Sequence, residues 1–236
     1  MESRDVPESG PKAVASTREV VFVVDDDVSV RESLELMILS AGWQPETFQS
    51  AHEFLARPRL RAPSCLILDF AMPGLNGLEL QKRVASERPD MPIIFITGYG
   101  DVPLTVQAMK AGAVEFLTKP LRDDVLLGAI ASALERSRAA LDHEAHMNAL
   151  RGCYGSLSRR EREVMALVVA GLLNKQVGGE LGISEITVKA HRGNMMRKMK
   201  AASLPDLVNM STELGIHDLS DGESWAAAAS RSAMHR

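Results

Sequence analysis

The chain has 236 residues, of which 45% are hydrophobic and 25% are charged, a composition that allows one or two domains with packed cores. No apolar run is long enough to span a bilayer, and residues 1–18 lack the apolar stretch of a secretory signal, so we expect a cytoplasmic protein with no membrane partner. Its two cysteines provide neither a disulfide framework nor a cysteine metal cluster.

The net charge of −4 is distributed unevenly along the chain. Acids outnumber bases across residues 19–133, whereas bases outnumber acids across residues 157–215. The segment from Thr187 to Lys200 contains bases and no acid, and its bases are Lys189, Arg192, Arg197, Lys198 and Lys200. This asymmetry indicates two parts with different tasks, the second a candidate for binding nucleic acid. A solvated basic helix face explains the charge pattern about equally well.

Residues 1–18 are expected to form a disordered tail, after which short apolar runs alternate with helical patterns. The predicted strands are Val20–Val24, Trp43–Phe48, Cys65–Leu68, Ile93–Ile96 and Val114–Leu117. Several of them are short, β-branched and continuous in their apolar character, which is typical of strands that are covered on both faces. Residues 19–133 are therefore predicted to form an α/β domain with a five-stranded, parallel, doubly wound sheet of the flavodoxin-like class.

The last helix of this part continues past Leu134 with polar residues on most faces, which predicts a helical linker over residues 134–156. His143 and His146 stand three residues apart there and form a minor candidate for a metal pair. No further ligand is evident beside them, so a solvated helix face is the preferred interpretation.

Residues 157–215 show the pattern of four helices, and residues 216–236 are expected to form a flexible tail. Helix starts are marked by serines, namely Ser158 (with Glu161 completing a capping box), Ser184 and Ser203. A short helix over Asn174–Leu181 and a turn at Gly182–Ile183 precede the basic helix, which is the order of a helix-turn-helix. A small structural bundle with a basic surface is the alternative.

Polar side chains follow four of the predicted strands: Asp25, Asp26 and Asp27 after the first, Asp69 after the third, Thr97 after the fourth and Lys119 after the fifth. Because ligands bind at the carboxyl edge of a parallel sheet, we expect these side chains to converge. Converging carboxylates favour Mg²⁺, and with a lysine and a hydroxyl they suit transfer of a phosphoryl group to an aspartate. The alternative is a structural Asp–Lys pair beside acidic loop ends.

A phosphatase is a second interpretation of the same acids. The run from Asp25 to Val30 approaches the DxDx[TV] pattern of haloacid-dehalogenase-type phosphatases, with Asp25 as nucleophile and Asp27 as acid and base. The other places of that pattern would go to Thr97, Lys119 and Asp123 or Asp124. Ser29 stands where Thr or Val is usual, and Asp69 is left without a role, so this remains the minor alternative.

The stretch from Val20 to Leu121 resembles the receiver domain of bacterial two-component response regulators. The resemblance is carried by VVDDD (23–27), LILDFAMPG (66–74), ITG (96–98) and FLTKP (116–120), in that order. It implies that a sensor histidine kinase phosphorylates Asp69, and that Mg²⁺ binds Asp26, Asp69 and the Ala71 carbonyl, with Asp25 helping through water. A receiver is not otherwise an enzyme, since it catalyses only its own phosphorylation and dephosphorylation.

The same resemblance implies which side chains respond to phosphorylation and which surface then dimerises. Lys119 pairs with the phosphoryl group, Thr97 moves to bind it, and Phe116 swings inward behind Thr97. The pair Phe70-Ala71 departs from the polar or basic pair of many relatives, from which we expect at most a changed rate of phosphorylation or hydrolysis. The segment 96–116 is similar to the FixJ-type subfamily, which implies dimerisation through the fourth helix, fifth strand and fifth helix.

The segment 157–199 resembles the LuxR-type helix-turn-helix over its full length. On a helical wheel Val188, Met195 and Met199 face a core, and Lys189, Gly193, Arg197 and Lys200 form a stripe on the outer side. The resemblance implies base contacts from Lys189, Ala190, Gly193 and Asn194, and backbone contacts from Thr187, Arg192, Arg197 and Lys198. It also implies that the fourth helix is able to dimerise. The glycines Gly178, Gly179 and Gly193 depart from the usual pattern, and we expect them to lower affinity or alter the preferred site.

Together these features predict a response regulator whose phosphorylation on Asp69 leads to a homodimer. The dimer then binds a two-fold site in double-stranded promoter DNA and activates transcription by RNA polymerase. A DNA-binding regulator that does not depend on phosphorylation is the alternative.

Overall fold

The computed structural model of the chain describes residues 18–73, 77–98 and 102–216. Two compact units divide between Asp142 and His143. Of the two predicted tails only Arg18 and Ile216 lie within the described residues, and Ile216 is buried in the core of the second unit. Within the described part, none of the helices is long and apolar enough to cross a membrane.

The first unit contains a parallel sheet of five strands in the order β2-β1-β3-β4-β5. The strands are β1 (Val20–Val24), β2 (Gln44–Phe48), β3 (Ser64–Asp69), β4 (Ile93–Thr97) and β5 (Glu115–Thr118). This confirms the predicted flavodoxin-like sheet, and each strand boundary lies within one residue of its prediction. The order places β1 and β3 side by side at the centre, where Val24 is opposite Leu68.

Five helices cover the two faces of this sheet: α1 (Val28–Ser40), α2 (Ala51–Ala56), α3 (Gly77–Glu87), α4 (Val102–Lys110) and α5 (Asp123–Gly155). Alternate strand side chains enter two separate cores. Val20, Phe22 and Val24 pack with residues of α2 and α3. Val21 and Val23 pack on the other face with residues of α1 and α5. The strands β1, β3 and β4 are therefore buried on both faces, as their continuous apolar sequence predicts, whereas β2 and β5 at the two edges of the sheet are only partly buried or exposed.

The second unit contains α6 (Arg159–Val169), α7 (Asn174–Leu181), α8 (Glu185–Met199) and α9 (Leu204–Glu213). Ser158 and Glu161 form the predicted capping box at the start of α6. The backbone of Gly182 is left-handed, with φ of 66°, and this makes the tight turn from α7 into α8. The predicted helix-turn-helix is thus present.

The segment 134–156 belongs to α5 and contributes to both units. The Ser137 hydroxyl accepts a hydrogen bond from the Ser64 N–H at 3.0 Å, at the start of β3. Leu150 and Tyr154 are buried in the core of the second unit. His146 lies 2.8 Å from the Glu213 carboxylate on α9, and neither residue belongs to a group of three possible metal ligands among the described residues. The expected linker is therefore packed at both of its ends.

Candidate phosphorylation site and nucleic-acid interface

Three carboxylates meet at the carboxyl edge of the sheet. Asp25 and Asp26 follow β1 directly, and Asp69 ends the neighbouring β3. One oxygen from each lies within 4.8 Å of the others, with Asp25 and Asp69 buried and Asp26 exposed. No other trio of acids, histidines or cysteines among the described residues comes this close. Oxygen ligands in this arrangement, open to solvent on the Asp26 side, fit a small hard cation such as Mg²⁺.

Lys119 joins the two buried acids of this cluster. Its Nζ donates to Asp25 Oδ2 at 2.8 Å and to Asp69 Oδ2 at 2.9 Å. The backbone N–H of Lys119 donates to the Thr97 carbonyl at 2.7 Å, so the pairing of β5 with β4 holds the lysine at this edge. The predicted lysine, acids and strand ends therefore converge on one site.

Burial and ion pairing have opposite effects on the pKa values of Lys119 and Asp25. Burial lowers the pKa of Lys119, but its hydrogen bonds to Asp25 and Asp69 outweigh burial and raise that pKa above its ordinary value. Burial raises the pKa of Asp25 above its ordinary value, and the hydrogen bond from Lys119 opposes that shift only in part. The ammonium is therefore held charged between the two carboxyl groups.

The backbone around Asp69 fixes its carboxylate. The Ala71 N–H donates to Asp69 Oδ1 at 3.1 Å, while Lys119 occupies Oδ2. A Cβ on Gly77 would lie 2.9 Å from the Phe95 ring and 3.3 Å from Phe70 Cα. The start of α3 therefore approaches this turn too closely for a side chain. Ala71 itself is exposed, and a metal contact from its carbonyl stays a prediction.

Asp25 and Asp27 have structural partners that sequence reasoning did not identify. Asp25 Oδ1 accepts the Asp27 N–H at 2.9 Å, and Arg31 Nη1 donates to the Asp25 carbonyl at 2.6 Å. Asp27 caps α1 by accepting the Ser29 N–H at 2.8 Å. Capping explains the presence of Asp27 without the acid and base role that the phosphatase interpretation requires.

The two predicted switch residues lie on adjacent strands. Thr97 ends β4 and is buried, and Phe116 lies in β5 and is partly buried. The Phe116 ring packs against Phe70 and Phe95, with both centroid distances at 6.1 Å. Phe70, which in sequence is only a departure from the family pattern, is therefore a direct contact of Phe116.

In the second unit α8 presents the predicted two faces. Val188, Met195 and Met199 are buried in the core. On the outer side Lys189, Ala190, Gly193 and Arg197 are exposed, and Thr187 and Asn194 are partly buried. Two of the outer side chains are linked, since Arg197 Nη2 donates to Asn194 Oδ1 at 2.9 Å. Thr187 lies in the first turn, where its hydroxyl is 2.8 Å from that of the capping Ser184.

Two of the predicted DNA-backbone contacts also tie α8 to the other helices. Arg192 Nη1 donates to Asn174 Oδ1 at 3.0 Å, at the start of α7. Lys198 Nζ donates to Glu161 Oε2 at 2.6 Å, and Glu161 is buried on α6. Hydrogen bonds from Lys198 and from the Ser158 N–H hold the pKa of Glu161 below its usual range. Lys198 therefore has a structural partner within the domain.

Both parts of the chain match families of known proteins. The family model described as the response regulator receiver domain matches residues 21–131, and that of the bacterial regulatory proteins of the luxR family matches residues 155–211. The chain is 49% identical to nodulation protein W of Bradyrhizobium diazoefficiens, over 88% of this chain and 91% of that protein. It is 45% identical to the transcriptional regulatory protein FixJ of Rhizobium meliloti, over 81% of this chain and 94% of that protein.

The chain is a two-component response regulator with a LuxR-type DNA-binding domain.

Solved structures of response regulators agree with this assignment. The response regulator StyR superposes with a TM-score of 0.76 at 45% identity, covering 83% of this chain and 99% of that one. Full-length FixJ from B. japonicum superposes with a TM-score of 0.51 at 42% identity, covering 85% of this chain and 99% of that one. A response regulator is a regulatory protein, so the phosphatase interpretation is set aside.

Two glycines of this response regulator's α7 differ in their surroundings. A Cβ on Gly178 would lie 2.8 Å from the Ile183 carbonyl oxygen, so the turn into α8 packs directly on that position. A Cβ on Gly179 would meet nothing within 4 Å. From the sequence alone, glycine at either position is expected to destabilise the helix relative to alanine. A larger residue would fit at position 179, whereas glycine at position 178 is needed for the close packing of the turn.

Proposed function

We propose that this response regulator activates transcription after a sensor histidine kinase phosphorylates Asp69. The observation that carries the proposal is the arrangement of Lys119, whose ammonium donates to both Asp25 and Asp69 beside the exposed Asp26. A nucleophilic carboxylate, two further acids and a lysine are the parts needed to accept a phosphoryl group.

The transfer assigns a task to each side chain of the site. An Asp69 carboxylate oxygen attacks the phosphorus of a phosphohistidine, the P–N bond breaks, and the imidazole remains on the kinase. Asp25, Asp26 and Asp69 are the carboxylates that would hold Mg²⁺, with the Ala71 carbonyl as a further ligand. When bound, the cation offsets repulsion between these acids and the incoming anion. Lys119 then leaves Asp69 to pair with a phosphoryl oxygen.

The bound phosphoryl group then changes the positions of side chains on β4 and β5. We infer that the Thr97 hydroxyl turns to bind it and that Phe116 moves inward behind Thr97. The starting position of Phe116 supports this step, because its ring is only partly buried and packs with Phe70 against the core residue Phe95. Such a movement changes the face that α4, β5 and α5 share.

Dimerisation is inferred to use that face. Three of its large hydrophobic side chains are exposed: Val106 and Met109 on α4 and Val125 on α5. Apolar side chains gathered on neighbouring elements indicate an interaction surface more strongly than single ones do. A receiver dimer brings two helix-turn-helix domains to the two halves of a promoter site, where α8 enters the major groove and RNA polymerase is recruited. The name of the FixJ relatives, transcriptional regulatory protein, is consistent with this role.

The proposal is tested by DNA binding with and without phosphorylation. The full chain is incubated with Mg²⁺ and acetyl phosphate, and its affinity is measured for duplexes enriched from a randomised pool. We expect phosphorylation to increase affinity at least about tenfold, since dimers bind both half-sites. The Asp69→Asn variant should lose that increase, and Asp124→Asn, which changes an exposed acid paired with Arg122, should retain it.

The contrary outcomes separate the other interpretations. Equal binding with and without acetyl phosphate would indicate a regulator that does not depend on phosphorylation. Retention of the increase in Asp69→Asn would contradict the assignment of Asp69 as the phosphorylated residue.

A further inference from the structure

The outer face of α8 carries one large apolar side chain. Ile186 is the second residue of the helix, and 80% of it is exposed, the highest value among the large hydrophobic residues that the structure describes. At 100° per residue Ile186 lies within about 60° of Lys189, Gly193 and Arg197 and points away from the core residues Val188 and Met195. It therefore stands in the centre of the stripe that faces outward.

The surroundings of Ile186 favour DNA over a protein partner. The bases Lys189 and Arg197 share its stripe, Lys200 follows at the end of the helix, and all three are exposed. The acid in the same turn, Glu185, is paired with Lys189 at 3.1 Å, which offsets its charge. An apolar side chain flanked by cations complements a groove lined by phosphates, and the first residues of a recognition helix are those that reach base edges.

The shape of the stripe brings Ile186 close to the bases. Ala190 and Gly193 follow it along the same line of the helix and are small. A Cβ on Gly193 would meet nothing within 4 Å, so no neighbouring side chain fills that position. A helix with small residues there can lie deep in the major groove, which leaves the branched Ile186 side chain as the projecting group at its start.

We propose that Ile186 selects a thymine in each half-site by contacting its C5-methyl group. Isoleucine has no donor or acceptor for the polar edges of the bases, and the thymine methyl is the one apolar group that a base presents in the major groove. The contact removes two apolar groups from water, which favours thymine over the other bases at that position. The inference rests on the proposed DNA binding and adds a specificity residue to it.

The test replaces thymine by deoxyuridine, which keeps base pairing and lacks only the methyl group. The phosphorylated full chain is measured against an enriched duplex in which each thymine is replaced in turn. At one thymine in each half-site, replacement should weaken binding about fourfold, the effect of one methyl group returned to water. Ile186→Ala should bind the thymine and uracil duplexes equally at that position, and Ile186→Val should restore most of the difference.

Leu173→Ala is the matched control, because Leu173 is 71% exposed at the start of α7 and lies outside the stripe. This variant should keep the wild-type ratio between the thymine and uracil duplexes. A wild-type protein that binds its duplex with no sensitivity to uracil at any position would overturn the inference. A ratio that persists in Ile186→Ala would do the same. Failure of the phosphorylated wild type to enrich any duplex is a different result, since it would remove the proposed DNA binding itself.

Discussion

At the scale of single residues, the site depends on one cation between two buried acids. Asp25 has no exposed surface and Asp69 is 6% exposed, so repulsion between their carboxylates is weakly screened by water. The Lys119 ammonium, within 2.9 Å of both, offsets that repulsion in the absence of metal. The residues that are proposed to receive the phosphoryl group are therefore stabilised without it.

Removal of the Lys119 ammonium should make the stability of the first unit depend on Mg²⁺. We expect Lys119→Met to lower the free energy of unfolding by about 3 kcal/mol in EDTA, because it leaves two buried carboxylates unpaired. Saturating Mg²⁺ should recover more stability in the variant than in the wild type, since the metal then supplies the missing charge. Calorimetry of the full chain with EDTA and with Mg²⁺ measures both effects. An equal Mg²⁺-induced shift in the two proteins would contradict the account.

Sequence patterns located Asp69, Lys119 and the acids after β1, because strand ends in a parallel sheet share one edge. They did not show that Phe70 contacts Phe116, since these residues are distant in sequence and no motif links them. The same limit applies to Arg31, whose hydrogen bond to the Asp25 carbonyl depends on how α1 begins. Contacts that depend on packing between elements need coordinates.

At the scale of elements, the ion pair between the buried Glu161 and the partly buried Lys198 connects α6 to α8. Its hydrogen bond and that of the Ser158 N–H depress the pKa of Glu161 below the ordinary value of 4.5. The stabilisation is therefore fully present above pH 4.5 and is lost as the pH falls through the depressed pKa. The capping box was predicted from sequence, but the partner of Glu161, on another helix, was not.

This ion pair should give the second unit a characteristic pH dependence. We expect Glu161→Gln to lower its stability by about 1.5–3 kcal/mol at pH 7, the contribution of a hydrogen bond to a charged group. The difference from wild type should diminish as the pH falls through the depressed pKa of Glu161, where the wild-type carboxyl becomes protonated. Hydrogen exchange of the α6 and α8 amides in the full chain reports this unit alone. A difference that stays constant down to acid pH would show that the ion pair is not its cause.

The two glycines of α7 should respond in opposite directions. Gly179→Ala should stabilise the helix by about 0.5–1 kcal/mol, because alanine loses less backbone entropy and its Cβ meets open space. Gly178→Ala should destabilise it by about 1–3 kcal/mol, because the new Cβ would lie 2.8 Å from the Ile183 carbonyl. Scanning calorimetry of the full chain compares the two variants. Stabilisation by both substitutions would mean that the turn into α8 shifts to accommodate the new Cβ at position 178 without a loss of stability.

Most element boundaries followed from local rules. The limits of β1, β3 and β4 came within one residue because each of these strands is a continuous apolar run, and helix starts followed from capping serines. The helix α2 has only six residues, too few to show a helical period. Ile216 was expected in a flexible tail, yet it is buried, and the Ser211 hydroxyl donates to its carbonyl at 2.7 Å. One apolar residue after a glycine does not reveal a packing partner in sequence.

At the scale of the whole molecule, the account requires that phosphorylation turns one copy into a pair. The apolar side chains Val106, Met109 and Val125 are exposed on α4 and α5, next to the strand that carries Phe116. A charge placed there should block pairing without affecting phosphorylation of Asp69, since none of the three belongs to the acidic site.

We expect Met109→Glu to remain monomeric after treatment with acetyl phosphate, because pairing would then bury an unpaired carboxylate. Leu36→Glu is the matched control, since Leu36 is 70% exposed on α1 in the same unit, and it should pair as the wild type does. Light scattering measures the mass of each phosphorylated protein. Pairing by Met109→Glu, or its loss in Leu36→Glu, would place the dimer surface elsewhere.

The central claim is that Asp69 is the phosphorylated switch residue, and the intact mass of the protein tests it most directly. The full chain and its Asp69→Asn variant are incubated with Mg²⁺ and acetyl phosphate and compared by mass spectrometry. The account predicts a single phosphoryl adduct on the wild type and none on the variant, with removal of Mg²⁺ preventing the adduct. An adduct of equal amount on Asp69→Asn, or a folded wild type that accepts no phosphoryl group from acetyl phosphate or a sensor kinase, would contradict it.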